Sequence, residues 1–392
     1  MAVRATSGSV GLLPIGALGV AFFHHLTGGL ARLSEGGVSF LARRTGGSGE
    51  RWRREGTLGL DTPAGRVDVP LADRLLGDLP AAAAAGTLPD IVLVCTNPDQ
   101  LFDVLTDYVA VVEHEHRAGR LMTDEARLPL LVLCSNGIYF QRVRRSFIEL
   151  IEEATLLGRL PDLWPEVMPV VVGRLMRGVT IQTAVRRGSG ADAVYRPGPP
   201  GRTQLTGGDR VARSWAAEVL RQRGAWFEDA GAALPTRVEF DKALVNLASN
   251  VFGQLAAIDE RGAFRVLTVG EIVEPGRHAR IRELVEAVVR VGRGVSAYRT
   301  DETPDAVFAQ MLRMLEPARA HVPSSVQWIE QQLAAGTLAP GLTPTETWLL
   351  KPLQHYARSL GDAGDSAYFE ALEAELIAAV ARAVERRGAR GV

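Results

Sequence analysis

Lysine is nearly missing from this chain: only Lys242 and Lys351 supply it among 44 basic residues, the rest being arginine. Cysteine is as scarce, at two, Cys95 and Cys134. That number cannot build a disulfide framework or a four-cysteine zinc site, and it fits a reducing cytosol. Excess charge of either sign is absent too, with 44 basic against 45 acidic residues and a net charge of −1. No global field therefore recruits nucleic acid or an anionic membrane surface. Long apolar runs are also lacking. The nearest, from Val10 to Phe23 behind Arg4, is broken by glycine and proline, is followed by His24-His25, and has no small-residue cleavage pattern after it. Residues 1–28 are accordingly read as the start of the fold rather than a signal peptide or membrane span, and a cytoplasmic location is expected. What remains is 392 residues with 46% hydrophobic and 23% charged side chains, the composition of a globular protein long enough for two domains.

Short apolar runs alternate with amphipathic ones over the first half. Strands are predicted at Ser9–Leu13, Val38–Ala42, Ile91–Cys95, Leu130–Cys134, Val170–Val172, Val179–Val185 and Thr203–Leu205, with two short ones inside 56–70. Helices are expected at Ala17–Leu30 and Leu101–Arg117. Unbroken Val/Leu/Ile strands separated by helices point to a parallel sheet covered on both faces, a doubly wound α/β domain. The stretch Ala81–Ala85 reads as linker or helix surface. Beyond the proline- and glycine-rich loop 196–202 the pattern turns helical, at Ala212–Arg223, Val238–Ile258, Ile281–Val291, Ala306–Leu315, Ser325–Ala335, Glu346–Ser359 and Ser366–Arg387. The expected division is a nucleotide-binding domain over 1–207 and an all-α domain over 208–392.

After the first strand the chain reads L-L-P-I-G-A-L-G (12–19). A dinucleotide fingerprint needs a tight turn, bare backbone near the pyrophosphate and close helix–strand packing. Gly16 and Gly19 fill the second and third glycine places, and Pro14 stands in the first. A helix beginning here offers the backbone of Ile15, Gly16, Ala17, Leu18 and Gly19 to a phosphate. At the end of the second strand, where an acidic residue would read a ribose hydroxyl, stand Arg43 and Arg44, which suit a 2′-phosphate and favour NADP over NAD.

The scarcity of lysine gives Lys242 its interest. In F-D-K-A-L-V-N-L-A-S-N (240–250), helical spacing sets Lys242, Asn246, Ser249 and Asn250 on one side, with Leu244, Leu247, Ala248, Val251 and Phe252 opposite. Asparagine and serine are weak helix formers, so such a row reads as the polar wall of a pocket rather than a solvated face. Arginine stays protonated at any working pH, whereas a lysine lowered by burial can give up its proton. It can therefore act as a general acid toward an oxygen gaining negative charge.

These pieces together resemble the ketopantoate reductase family (2-dehydropantoate 2-reductases). The similarity runs through the glycine turn, D-I-V-L-V-C-T-N-P-D-Q (90–100), C-S-N-G (134–137), R-G-V-T (177–180), the lysine helix, P-S-S-V-Q (323–327) and P-T-E (344–346). The resemblance implies a Rossmann domain followed by a helical domain like that of 6-phosphogluconate dehydrogenase, with the active site in the cleft between them. It implies NADP(H) as cofactor and a small 2-oxo acid or related carbonyl as substrate, with no metal, and it allows a homodimer. Carried over by position, it makes Lys242 the general acid, with Glu346 supporting it or the substrate. Asn246, Asn250 and Ser324 or Ser325 become substrate binders, Thr96 and Gln100 cofactor contacts, and Asn136 an amide serving both. Asn97 stands where the family has a phosphate-binding lysine, the later substrate asparagine falls near Glu260-Arg261-Gly262, and 347–392 matches poorly. The expected activity is thus NADPH-dependent reduction of a carbonyl, with a pantothenate role as one possibility. An opine-type imine reductase and a non-catalytic nucleotide sensor or scaffold are the alternatives.

Overall fold

The computed structural model describes residues 8–43, 52, 54, 56–62, 64–121, 123, 126–188 and 193–390. It divides into two compact units, Met1–Ser135 with Phe140–Pro235, and Asn136–Tyr139 with Thr236–Val392.

The first unit is built on an eight-stranded sheet. Its strands are β1 (Val10–Leu13), β2 (Val38–Leu41), β5 (Leu75–Leu76), β6 (Ile91–Val94), β7 (Leu130–Leu133), β8 (Leu175–Thr180), β11 (Thr203–Thr206) and β12 (Phe227–Asp229). They run in the order β12-β11-β8-β7-β6-β1-β2-β5, parallel throughout except where β11 meets β8. The six strands from β5 to β8 follow the order of a dinucleotide-binding doubly wound sheet, whose direction of winding reverses between β1 and β6. Strands β1, β6 and β7 have every side chain buried, as expected of parallel strands covered on both faces. Helix α1 (Ala17–Leu26) follows β1, α2 (Leu79–Ala84) lies before β6, and α3 (Leu101–Arg117) follows it. Helices α4 (Phe140–Leu156) and α5 (Met168–Val172) lead into β8, and α6 (Arg210–Gln222) joins β11 to β12.

A second sheet, β4-β3-β10-β9, joins the hairpin of β3 (Thr57–Thr62) and β4 (Gly65–Pro70) to β9 (Ala184–Arg187) and β10 (Val194–Pro197), and β9 and β10 pack on α1. The expected pair of strands in 56–70 is therefore present, with partners more than a hundred residues away in the chain.

Three expectations are corrected. Val170–Val172 is helical, because Pro169 at the first turn of α5 starts a helix that Gly173 ends. The strand expected across Val179–Val185 is split, Val179 and Thr180 closing β8 and Ala184 opening β9. The division between the units falls at Pro235/Thr236 rather than at 207/208. Phe227–Asp229 pairs with β11, so α6 and β12 complete the sheet instead of opening the helical unit.

The second unit comprises α7 (Pro235–Asn246), a π-helical turn (Leu247–Val251), α8 (Phe252–Ala257), α9 (Val269–Ile272), α10 (His278–Gly294), α11 (Pro304–Leu315), α12 (Ser324–Ala335), α13 (Pro344–Ser359) and α14 (Ala363–Arg390). Its core gathers Phe240, Leu244, Leu247, Ala248 and Val251 against Leu284, Val288, Val326, Leu350 and Leu353, all buried. Burial of each large aliphatic side chain contributes about 1.5–3 kcal/mol, so this apolar flank fixes which side of the α7–α8 rod holds the polar residues. Among the described residues no helix is long and apolar enough to cross a membrane.

Candidate active site

On the first unit, the turn after β1 places Gly16 at the N-cap of α1, in extended conformation and with no side-chain cap. The first backbone bond of the helix runs from Val20 N to Gly16 O, leaving the N–H groups of Ala17, Leu18 and Gly19 for an external acceptor. A Cβ on Gly16 would have nothing within 4 Å, whereas one on Gly19 would lie 2.6 Å from the Pro14 carbonyl oxygen. Gly16 thus leaves open space in front of the helix, and Gly19 permits the close helix–strand approach. Ile15 is buried, and Ala17 and Leu18 are half-buried.

Across the switch point, Cys95 N bonds Leu13 O at 2.6 Å, tying the end of β6 to β1. Next to it Thr96 is buried, and among the described residues its hydroxyl has no hydrogen-bond partner. A buried hydroxyl left unbonded costs about 1–3 kcal/mol, which a bound polar group would relieve. Gln100 is half-buried just before α3. Arg43, past the end of β2, reaches Asp103 in the first turn of α3 at 3.2 Å. Arg44 lies outside the described residues. The open helix end, the glycine cradle and the orphaned Thr96 hydroxyl fit the phosphates and ribose of a dinucleotide.

On the second unit the lysine helix continues through α7, the π turn and α8. An unbroken α-helix would carry Asn250 about 80° and Gln254 about 120° round from Lys242. A π turn closes i→i+5 bonds and holds roughly 4.4 residues, which brings both back to within about 50°. Lys242, Asn246, Asn250 and Gln254 therefore share one side of the rod. Sequence reasoning missed Gln254, because only the inserted residue of the π turn brings it into line.

Lys242 is half-buried, with no hydrogen-bond or ion-pair partner among the described residues, and desolvation lowers its pKa from 10.5 to about 8. Asn246, Asn250 and Gln254 are buried, at 6%, 7% and 2% exposure. Among the described residues the Gln254 amide nitrogen and both carboxylate oxygens of Glu346, itself 1% exposed, lack a well-formed hydrogen bond, although the Gln254 amide lies beside the carboxyl group. Burial raises Glu346 to about 7, partly offset by the N–H groups of Glu346 and Thr343 and by the nearby Gln254 amide. Ser249, by contrast, spends its hydroxyl on Val245 O at 2.7 Å.

The serine pair separates cleanly. Ser325 is buried and its Oγ donates toward the carbonyl and side-chain oxygens of Asn250, at 3.2 and 3.1 Å, while Ser324 is exposed. Residues 136–139 belong to this unit: Ile138 N bonds Trp348 O at 3.1 Å, and Tyr139 N bonds a Glu239 carboxylate oxygen at 3.3 Å. Gly137 has φ +126°, and a Cβ there would meet Trp348 at 2.9 Å, so glycine is required and Asn136 beside it is left exposed. Lys242, Asn246, Asn250 and Gln254 thus share one side of the rod, with the Ser325 hydroxyl bonded to Asn250 and the Glu346 carboxyl group beside Gln254.

Several solved structures share this architecture. D-mandelate dehydrogenase, in a ternary structure with NADH and anilino(oxo)acetate, matches with a TM-score of 0.61 at 15% identity over 95% of this chain and 98% of that one. A PanE/ApbA family ketopantoate reductase from Ralstonia eutropha matches at 0.56 and 15% identity over 96% and 99%. A 2-dehydropantoate 2-reductase from Geobacter metallireducens matches at 0.55 and 17% identity over 94% and 98%. This is the ketopantoate reductase fold. It extends over nearly the whole length of each of these chains. No protein-family model and no curated protein matches the sequence.

Proposed function

We propose that the protein is a nicotinamide-dependent oxidoreductase that reduces a 2-oxo acid, or a similar small carbonyl compound, to the alcohol. The observation that carries this reading is Lys242: an ammonium without a counter-charge, lowered to about 8, in a row of buried amides with a buried carboxyl group beside them. Such a group stabilises an oxygen that gains negative charge and then gives it a proton, which arginine could not do.

In this reading Ile15 to Gly19 present backbone N–H groups to the cofactor phosphates, and Thr96 and Gln100 hold the nucleotide beside the switch point. When bound, the cofactor supplies the hydride. Lys242 Nζ points its proton at the carbonyl oxygen of the substrate. Asn246, Asn250 and Ser325 bind the substrate carboxylate and hydroxyl groups, and Asn136 supplies a further amide. Glu346, buried beside the Gln254 amide and raised to about 7, is half-protonated near pH 7 and can hold or release a proton at that end of the row. Ketopantoate reductase and D-mandelate dehydrogenase, similar in fold, both act between a 2-oxo and a 2-hydroxy acid, which supports this substrate class.

NADPH is the proposed donor, on Arg43 and Arg44. The Arg43–Asp103 pair favours a second reading, use of NADH, since that guanidinium already has a carboxylate. The test is consumption of NADPH or NADH with a panel of 2-oxo acids, for wild type and Lys242→Ala. The proposal expects turnover of at least one acid and a loss of about 10²–10⁴-fold in kcat in the variant. Cofactor binding with no turnover of any carbonyl compound would leave a nucleotide sensor instead.

A further inference from the structure

The opposite edge of the same sheet carries a cavity that the reductase reading does not use. Asp90, Pro129 and Arg174 stand immediately before β6, β7 and β8, so this cavity lies at the N-terminal edge of the parallel strands, away from the glycine turn at their C-terminal edge. Its volume of about 890 Å³ is within the range of small-molecule sites. Apolar surface is supplied by Trp215, half-buried on α6, and by Val170 and Val211, which are 41% and 65% exposed.

The polar groups are sorted by sign. Each carboxylate in the wall is already bonded within the protein. Asp90 accepts from Ser9 N and Oγ at 2.8 and 2.7 Å. Glu115 takes Arg120 on both oxygens, at 3.0 and 2.5 Å, together with Arg127 N at 2.8 Å. Asp209 caps α6 through Ala212 N at 2.8 Å. Three of the donors are not spent in this way. Among the described residues, the His114 ring, the Arg127 guanidinium and the Trp215 indole N–H have no hydrogen-bond or ion-pair partner. A wall whose acids are already hydrogen-bonded and which keeps an open guanidinium, imidazole and indole N–H favours an anion, and the exposed valines and indole favour an apolar body attached to it.

We propose that this cavity is a second ligand site, binding a small organic anion with a flat or branched apolar body, such as an aromatic carboxylate. Arg127 and His114 take the carboxylate, and Trp215, Val170 and Val211 cover the hydrocarbon. The site is separate from the Lys242 row and does not depend on the reductase reading.

Isothermal titration calorimetry of the full chain with 2-naphthoate, with and without NADPH, tests it. Stoichiometric binding is expected, unchanged by NADPH and by Lys242→Ala. Arg127→Ala should weaken it at least tenfold through loss of a charge-assisted bond. Val211→Glu, a change at an exposed position that folding tolerates, should weaken it equally by placing an anion at the rim. Absence of binding at millimolar ligand, or binding that survives both Arg127→Ala and Val211→Glu, overturns the proposal. Binding lost in Lys242→Ala also overturns it, since the ligand would then occupy the substrate set.

Discussion

Replacing Lys242 with methionine should abolish reduction and stabilise the protein, and the two effects have one cause. A lysine at the usual 10.5 in the unfolded chain is lowered to about 8 in the fold. Each pH unit between those values is worth about 1.4 kcal/mol, so charged Lys242 costs the folded state about 3 kcal/mol as an upper figure, given its partial exposure. The sign follows from proton binding. Between the two values the unfolded chain binds more protons than the folded one, so wild-type stability rises with pH across that window. The penalty is present in full below about 8 and disappears as the pH approaches 10.5. Methionine keeps the length and the apolar stem of the side chain without the charge. Lys242→Met should therefore exceed wild type by about 1–3 kcal/mol near neutral pH, with the gap closing toward 10.5. Urea unfolding of both proteins across this pH range, read by far-ultraviolet circular dichroism, measures it; the difference cancels every other titrating group. A variant less stable than wild type at neutral pH, or a gap that stays constant with pH, would refute the account of Lys242 as a desolvated, unpaired ammonium.

Glu346 behaves in the opposite sense. Its folded pKa of about 7 lies above the ordinary 4.5, so the folded state holds the extra proton and stability falls as pH rises between those values; Glu346→Gln should match wild type near 4.5 and exceed it by up to about 3 kcal/mol above 7. In the glycine turn, Gly16→Ala should leave stability within about 0.5 kcal/mol, because its Cβ meets nothing, yet weaken nicotinamide binding at least tenfold by filling the open space; Gly19→Ala should weaken binding and also cost about 1–3 kcal/mol through the contact with Pro14 O. Fluorescence titration with NADPH and thermal unfolding separate the two. Ser325→Ala should raise KM for a 2-oxo acid about tenfold with little change in kcat, and exposed Ser324→Ala should change neither; equal effects would reject the assignment of Ser325 to the substrate.

The doubly wound sheet was legible in the sequence because its central strands, I-V-L-V and L-L-V-L, are continuous apolar runs that no amphipathic helix would contain. β12 was not, since F-E-D is three residues long and acquires its strand character only by pairing with β11. Val170–Val172 was misread for the same reason in reverse: β-branched composition suggested a strand, and Pro169 decided for a helix. Lys242 was singled out from composition, and Asn246 and Asn250 were placed beside it by helical spacing. Gln254 was hidden because spacing arguments assume a constant rotation per residue, which the π turn at Leu247–Val251 breaks. The lone hydroxyl of Thr96 and the choice between Ser324 and Ser325 are matters of burial, which adjacent identical residues cannot reveal in a sequence.

The central claim is that Lys242 delivers the proton, and the pH dependence of kcat/KM for 2-oxo acid reduction tests it most directly. The account predicts a rate that is level below about 8, falls tenfold per pH unit above it, and drops sharply at all pH values in Lys242→Ala. A wild-type profile that stays level through 8 and up to 10.5, or an alkaline limb that persists unchanged in Lys242→Ala, would contradict it.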